Sequence, residues 1–407
     1  MRDLLFLSHR IPYPPDKGEK IRAWHMFLHL ARTHRMHLGC FLDDPADRAH
    51  LSALRAHCAD AHVVEIDRTR QKVFSVLRAR PGRPLTLGYF ADAGLAAWAQ
   101  QKIAAGVDRA FVYCSAMAPY LMEARGVHRV LDMVDIDSAK WAEYAARARW
   151  PARAVWAREA RTLLALERAA AGAYEHTLFV SAAEAEAFCR LAPEAAGRVG
   201  WMDNGVDLDF FSPALAPASP WPDATPSIVF TGTMDYWPNI DAVTWFADAV
   251  LPALRARFPA LRFAVVGANP APAVQALARR PGIAVTGRVA DVRPYLAHAA
   301  LVVAPLRIAR GIQNKVLEAM AMARPVLATP QAFAGLHAAP GQDLLVGADA
   351  AALGALAAEV LEGRHDALGA AARAAVERRY AWAATLAGLD ALFEPSLTPS
   401  FAHEAMP

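Results

Sequence analysis

Among its 407 residues the chain has only 6 Lys beside 37 Arg, only 4 Cys, and no apolar run long enough to span a bilayer. Each shortage excludes something. Cys40, Cys58, Cys114 and Cys189 lie far apart, with no C-x-x-C pair and no zinc-type Cys/His spacing, so neither a disulfide framework nor a structural zinc is expected. The N-terminal stretch MRDLLFLSHRIPYPP breaks at Ser8 and His9, too early for a signal-peptide core. A cytoplasmic protein is expected, with attachment to the inner face of the plasma membrane left open. The net charge of +3 gives no footprint for nucleic acid. Against these absences stand 55% apolar and 20% charged residues, a composition that folds.

A chain of this length predicts two or three domains, and two is the expectation. Short aliphatic runs alternate with Ala-rich stretches of helical period, the pattern of parallel α/β units. Strands are expected at residues 4–7, 36–42, 62–66, 110–114, 129–133 and 176–180. A second set is expected at 227–230, 261–266, 283–286, 301–304, 325–328 and 344–346. One long helix is expected from Ser138 to about Ala171, and a final helix over Tyr380 to Phe393. Five prolines between Pro213 and Pro226 prevent regular structure and mark a boundary. Two Rossmann-like domains follow, 1–205 and 206–379, with 380–407 crossing back to the first and a ligand expected in the cleft between them.

Three segments carry the chemistry. In VVAPLRIARGIQNKVLEAMAMARPVLAT, residues 302–329, a strand runs through a turn into a helix that starts near Ile312 to Asn314. Gly311 permits the tight turn, while Arg307, Arg310 and Lys315 surround the positive helix end, an arrangement suited to phosphate. Glu318, one turn on, is placed to accept from two adjacent sugar hydroxyls. The same pattern also suits an ordinary βαβ unit whose Glu318 merely solubilises a helix.

The second segment, SHRIPYPPDKGEKIR, follows the first strand and places Lys17, Gly18, Lys20 and Arg22 at its carboxyl end. It reads as a ligand-approaching loop or as a solvated turn opening a helix. In the third, VLDMVDIDSAKW, Asp132, Asp135 and Asp137 follow a strand, with Ser138 placed to cap the next helix. These carboxylates read either as a general base, Asp135 preferred with Asp132 and Asp137 beside it, or as caps of the next helix; a metal site is rejected for want of a ligand pattern. A further run, RTRQKVFSVLRARPGR at 68–83, interleaves cations with apolar residues and suits either an anionic lipid surface or a solvated helix face.

LEAMAMARPVLAT, residues 317–329, resembles the second half of the signature of the family 4 glycosyltransferases of the GT-B fold, Glu-Ala-Met-Ala followed by a Pro-Val-Val strand. The family's first Glu falls on Arg310 here, and its Phe-Gly pair becomes Ile312-Gln313. The pattern formed by Gly311, Lys315, Leu317 and Glu318 is similar to bacterial polysaccharide glycosyltransferases, nearest to those of exopolysaccharide clusters associated with exosortase (PEP-CTERM) systems. Asn204-Gly205-Val206-Asp207 resembles the family's link into the donor domain, and residues 230–242 its first strand and loop, with Thr233 and Asn239 where many relatives carry Arg and Lys.

The resemblance implies an α/β GT-B enzyme that transfers a hexose from a nucleotide-sugar to a lipid-linked or polysaccharide acceptor, with retention, no cofactor and no required metal. It assigns donor binding to Gly18, Lys20, Gly232, Arg288, Gly311, Asn314, Lys315 and Glu318. Lys315 and Arg310 would serve the leaving diphosphate, Asp135 the acceptor hydroxyl, with Lys17, Asp132 and Asp137 on the acceptor side. A non-catalytic glycan- or nucleotide-sugar-binding assembly protein and a GT-B nucleotide-sugar epimerase are the alternatives.

Overall fold

The computed structural model describes residues 1–15, 18–78, 80–215, 217–309 and 311–394, apart from the side chain of Val76. The chain divides into two compact units, Met1–Asp203 together with the segment from Leu386 onward, and Asn204–Thr385.

The first unit holds seven parallel strands: β1 (Arg2–Ser8), β2 (His34–Leu42), β3 (Asp60–Glu65), β4 (Arg109–Tyr113), β5 (His128–Val134), β6 (His176–Phe179) and β7 (Val199–Trp201). Their order is β3-β2-β1-β4-β5-β6-β7. The second unit holds β8 (Ser227–Thr231), β9 (Arg262–Val266), β10 (Ile283–Val285), β11 (Leu301–Ala304), β12 (Val326–Ala328) and β13 (Leu345–Val346), ordered β10-β9-β8-β11-β12-β13. Each strand is an aliphatic run because helices cover both faces of a parallel sheet, so no alternation is needed. Leu4 to Leu7 and Ile228 to Phe230 are wholly buried accordingly.

Both sheets reverse direction of winding once, between β1 and β4 and between β8 and β11. In doubly wound sheets the carboxyl ends flanking that reversal form a crevice, and ligands bind there. In the second unit the two elements leaving those ends are the turn after β8 and the loop 305–313, which are the segments singled out from sequence.

Three expectations need correction. The long helix is two helices, Asp137–Arg147 and Ala152–Ala173, because Pro151 cannot continue a helical ladder. Ser138 therefore lies inside the first of them, and the residue flanking its start, Ile136, supplies no side-chain cap. The stretch 380–393 forms only a helical turn, Trp382–Thr385, and a 3-10 turn, Asp390–Phe393. The second turn is tied to the first unit, with His29 to Asp390 at 2.9 Å and His128 to the Leu392 carbonyl at 2.7 Å.

Candidate functional site

In the second unit, Gly232 at φ 153° directly follows β8, and Gly267 at φ 152° directly follows β9. A Cβ on Gly267 would lie 1.7 Å from the Gly232 carbonyl oxygen, so the two strand ends touch as bare backbone. A Cβ on Gly232 would lie 2.7 Å from Asn239 Nδ2 and 3.1 Å from Lys315 Nζ. Only glycine meets both the dihedral and the spacing.

Lys315 and Glu318 come from the helix Asn314–Ala321, entered through Gly311 at φ 59°, and their three-residue spacing puts them on one face. Lys315 Nζ donates to Asn239 Oδ1 at 2.6 Å and lies 4.3 Å from the centroid of the Phe230 ring. The Asn239 amide is itself oriented, donating through Nδ2 to the Thr233 carbonyl at 2.8 Å. Burial pushes the ammonium down to about 7, with Glu318 acting in the opposite direction. Burial likewise pushes the Glu318 carboxyl up to about 7, against the attraction of Lys315. The Glu318 carboxylate makes no hydrogen bond or close ion pair among the described residues. A desolvated cation and a desolvated carboxylate with no hydrogen-bond partner among the described residues share one helical turn, an arrangement in which an anion and a pair of hydroxyls would supply what burial removes. The helix has no side-chain cap at its N-terminus, where backbone dipoles favour the same anion.

Other donor-side expectations fare differently. Asn314 Oδ1 accepts from Asn204 Nδ2 at 3.0 Å, so this side chain ties the Asn-Gly-Val-Asp segment to the helix start. Arg307, half-exposed, pairs its guanidinium with Asp241, Nε to Oδ2 at 2.9 Å. Arg288 is exposed in the turn after β10, past Gly287 at φ 69°. Arg310 and Lys17 lie outside the described residues.

In the first unit, Lys20 is buried and donates to both carboxylate oxygens of Asp47, at 3.0 and 2.9 Å, which makes it a structural cation rather than a ligand-facing one. Gly18 opens the helix Gly18–Ala31 with no left-handed backbone. Asp132 is also corrected: it is fully buried and accepts from Arg22 Nε at 2.7 Å, while Arg22 Nη1 reaches the Met202 carbonyl. That ion pair joins the first helix to the middle of the sheet.

The remaining carboxylates gather at the carboxyl ends of the central strands. Asp135 is half-buried, and burial, then the charges of Glu184 and Asp137, push its carboxyl up to about 6. Asp137 accepts from Ser115 Oγ at 2.8 Å, and burial raises it as well. His9, at the end of β1, has its Nδ1 buried without a partner, and burial lowers its imidazole to about 4, leaving it neutral. Sequence reasoning passed over His9, Ser115 and Glu184, although His9 and Ser115 each follow a strand by one or two positions. Cys114 at φ 80° and Val134 at φ 67° end neighbouring strands in conformations that cost non-glycine residues about 1–3 kcal/mol each. Such strain concentrates at functional sites, and no sequence pattern announces it. Among the described residues no group of three or more His, Cys, Asp or Glu is arranged to hold a metal.

Residues 225–363 match the family model described as Glycosyl transferases group 1, a stretch that contains the Gly232, Gly267, Lys315 and Glu318 cluster. No curated protein sequence matches the chain. Among solved structures, a sucrose-phosphate synthase from Thermosynechococcus elongatus is similar at TM-score 0.70 and 17% identity, covering 97% of this chain and 98% of that one. Anabaena HepE in complex with UDP and glucose is similar at TM-score 0.64 and 16% identity, covering 96% and 99%. WaaG, a glycosyltransferase involved in lipopolysaccharide biosynthesis, is similar at TM-score 0.64 and 15% identity, covering 96% and 99%. The fold is therefore GT-B, and the family match over the second unit, with the site it contains, supports a glycosyltransferase of the GT-B type.

Proposed function

We propose that the protein is a retaining hexosyltransferase that moves a sugar from a nucleotide-sugar to a growing exopolysaccharide acceptor carried on a lipid, at the inner face of the plasma membrane. The observation that carries the donor half is the Lys315 and Glu318 pair beside the bare-backbone contact of Gly232 and Gly267. In this reading the diphosphate lies against Gly232, Lys315 and the N-terminus of the Asn314–Ala321 helix, and Glu318 accepts from the ribose hydroxyls. Lys315 stabilises the negative charge that grows on the diphosphate as the anomeric carbon–oxygen bond breaks. The acceptor hydroxyl oxygen forms the new bond, and its proton passes to the departing phosphate oxygen. Asp135, with Asp137 beside it, orients that hydroxyl. No bound metal is needed, because fixed cations and backbone dipoles supply the charge.

The test is a screen of the purified chain against UDP-, GDP- and dTDP-sugars for thermal stabilisation and released nucleotide, followed by the anomeric configuration of the product with a lipid-linked acceptor. Stabilisation and slow release with one donor, and a product of unchanged configuration, are expected. Inverted configuration would remove retention. Binding without release even with acceptor would favour a non-catalytic nucleotide-sugar-binding protein, the reading that Thr233 and the amide Asn239, in place of two cations, would support.

A further inference from the structure

Among the described side chains of the helix Arg68–Leu77 the buried one is Ser75, while Val73, Phe74 and Leu77 face solvent, Leu77 being 73% exposed. The cause is a close backbone contact: a Cβ on Gly88, in the helix Leu85–Tyr89, would lie 2.9 Å from Ser75 Cα, so two small residues meet and the apolar side turns outward. An amphipathic helix normally does the reverse.

A second exposed apolar group adjoins it. Trp150, 84% exposed, and Val155 stand at the start of the helix Ala152–Ala173. Arg158 of that helix donates through Nη2 to the carbonyls of Arg80 and Arg83 at 2.7 and 2.9 Å. Glu159 accepts from the backbone N–H groups of Leu85 and Thr86 at 2.7 and 2.9 Å. Val155 lies one turn from Arg158 on the same face, and Trp150 precedes the first residue of that helix by two positions. Residues 80–86 thus link the two groups within the first unit. Of the eleven large apolar side chains exposed among the described residues, five are here: Val73, Phe74, Leu77, Trp150 and Val155.

Charge identifies the partner. Residues 68–83 contain six Lys or Arg and residues 144–158 contain four Arg, with no Asp or Glu in either stretch. Since the whole chain carries +3, subtracting these ten leaves −7 for the remainder. Lys72, Arg78, Arg80, Arg149 and Arg153 are exposed and have no ion-pair partner among the described residues. Apolar side chains and an exposed Trp interleaved with unneutralised cations match the interface of an anionic bilayer, where rings and aliphatic groups enter the headgroup layer and cations meet lipid phosphates.

We propose that this surface, formed by Val73, Phe74, Leu77, Trp150 and the surrounding arginines, docks the protein on anionic membrane. It deepens the lipid-linked acceptor reading above by naming the surface that would bring the protein to its acceptor, but the docking itself needs no donor or turnover.

The experiment is co-sedimentation of the full chain with phosphatidylcholine vesicles, with and without phosphatidylglycerol, at low and high salt, in the absence of any nucleotide-sugar. Binding only to the anionic vesicles, weakened by salt, is expected. Arg80→Glu with Arg149→Glu should lower the binding constant more than about tenfold, and Leu77→Ser with Trp150→Ser should lower it comparably. These positions are exposed, and unchanged circular dichroism and melting temperature would confirm that the variants fold. Equal binding to neutral and anionic vesicles, indifference to all four substitutions, or a loss of self-association in place of vesicle binding would overturn the proposal. Failure of donor binding would leave this result unaffected, so the two readings fail separately.

Discussion

Lys315 and Lys20 show what a residue's type does and does not reveal. Both stood out because lysine is scarce, yet Lys20 is neutralised by Asp47 whereas among the described residues Lys315 meets an amide oxygen and an aromatic face. Partner identity separates them, and that depends on contacts 27 and 76 positions away in sequence. Lys315→Met should therefore weaken nucleotide-sugar binding by about ten- to hundredfold while raising melting temperature slightly, because it removes a desolvated charge. Calorimetric titration and thermal melts together check both halves. Asp135 offers a pH test. Its folded-state value of about 6 exceeds the ordinary 3.8, so the folded protein holds an extra proton between those values and stability falls as pH rises through them. Asp135→Asn should match wild type near pH 4 and exceed it by about 1–2 kcal/mol at pH 8, allowing for partial exposure. Equal unfolding midpoints at both pH values would show the carboxyl to be unperturbed.

At the scale of elements, the sheets were legible because buried parallel strands are continuous aliphatic runs that few other elements resemble. β7 escaped notice since three residues with a central glycine, Val199–Trp201, carry no such run. The broken helix at Pro151 was readable in principle, but the Ala and Arg periodicity continued across it. The three-aspartate segment misled in part, because Asp132 still belongs to the strand and points into the fold, where Arg22 meets it. Arg22→Met alone should cost about 3–5 kcal/mol in denaturant unfolding by stranding that carboxylate, and adding Asp132→Leu should recover much of the loss. Just past the paired ends of β8 and β9, Gly267→Ala should destabilise by about 3 kcal/mol or more, since its Cβ has no room beside the Gly232 carbonyl. A melting temperature within a degree or two of wild type would contradict that packing.

The whole molecule repeats one device: a doubly wound parallel sheet whose central strand ends carry the candidate site groups. In the second unit the glycine contact, the anion-favouring helix start and the Lys315 and Glu318 pair coincide at that place, and the sequence pattern around residues 311–329 disclosed most of it. The most direct test is calorimetric titration of UDP-, GDP- and dTDP-sugars into wild type, Lys315→Ala and Glu318→Ala in buffers of differing ionisation enthalpy. A bound diphosphate raises the lowered Lys315 value, so one donor should bind near pH 8 with uptake of protons; binding should weaken at least about tenfold in either variant, and the Lys315-linked uptake should vanish in Lys315→Ala. Binding that neither variant alters, or no binding by any donor, would contradict the assignment of this cluster as the donor site.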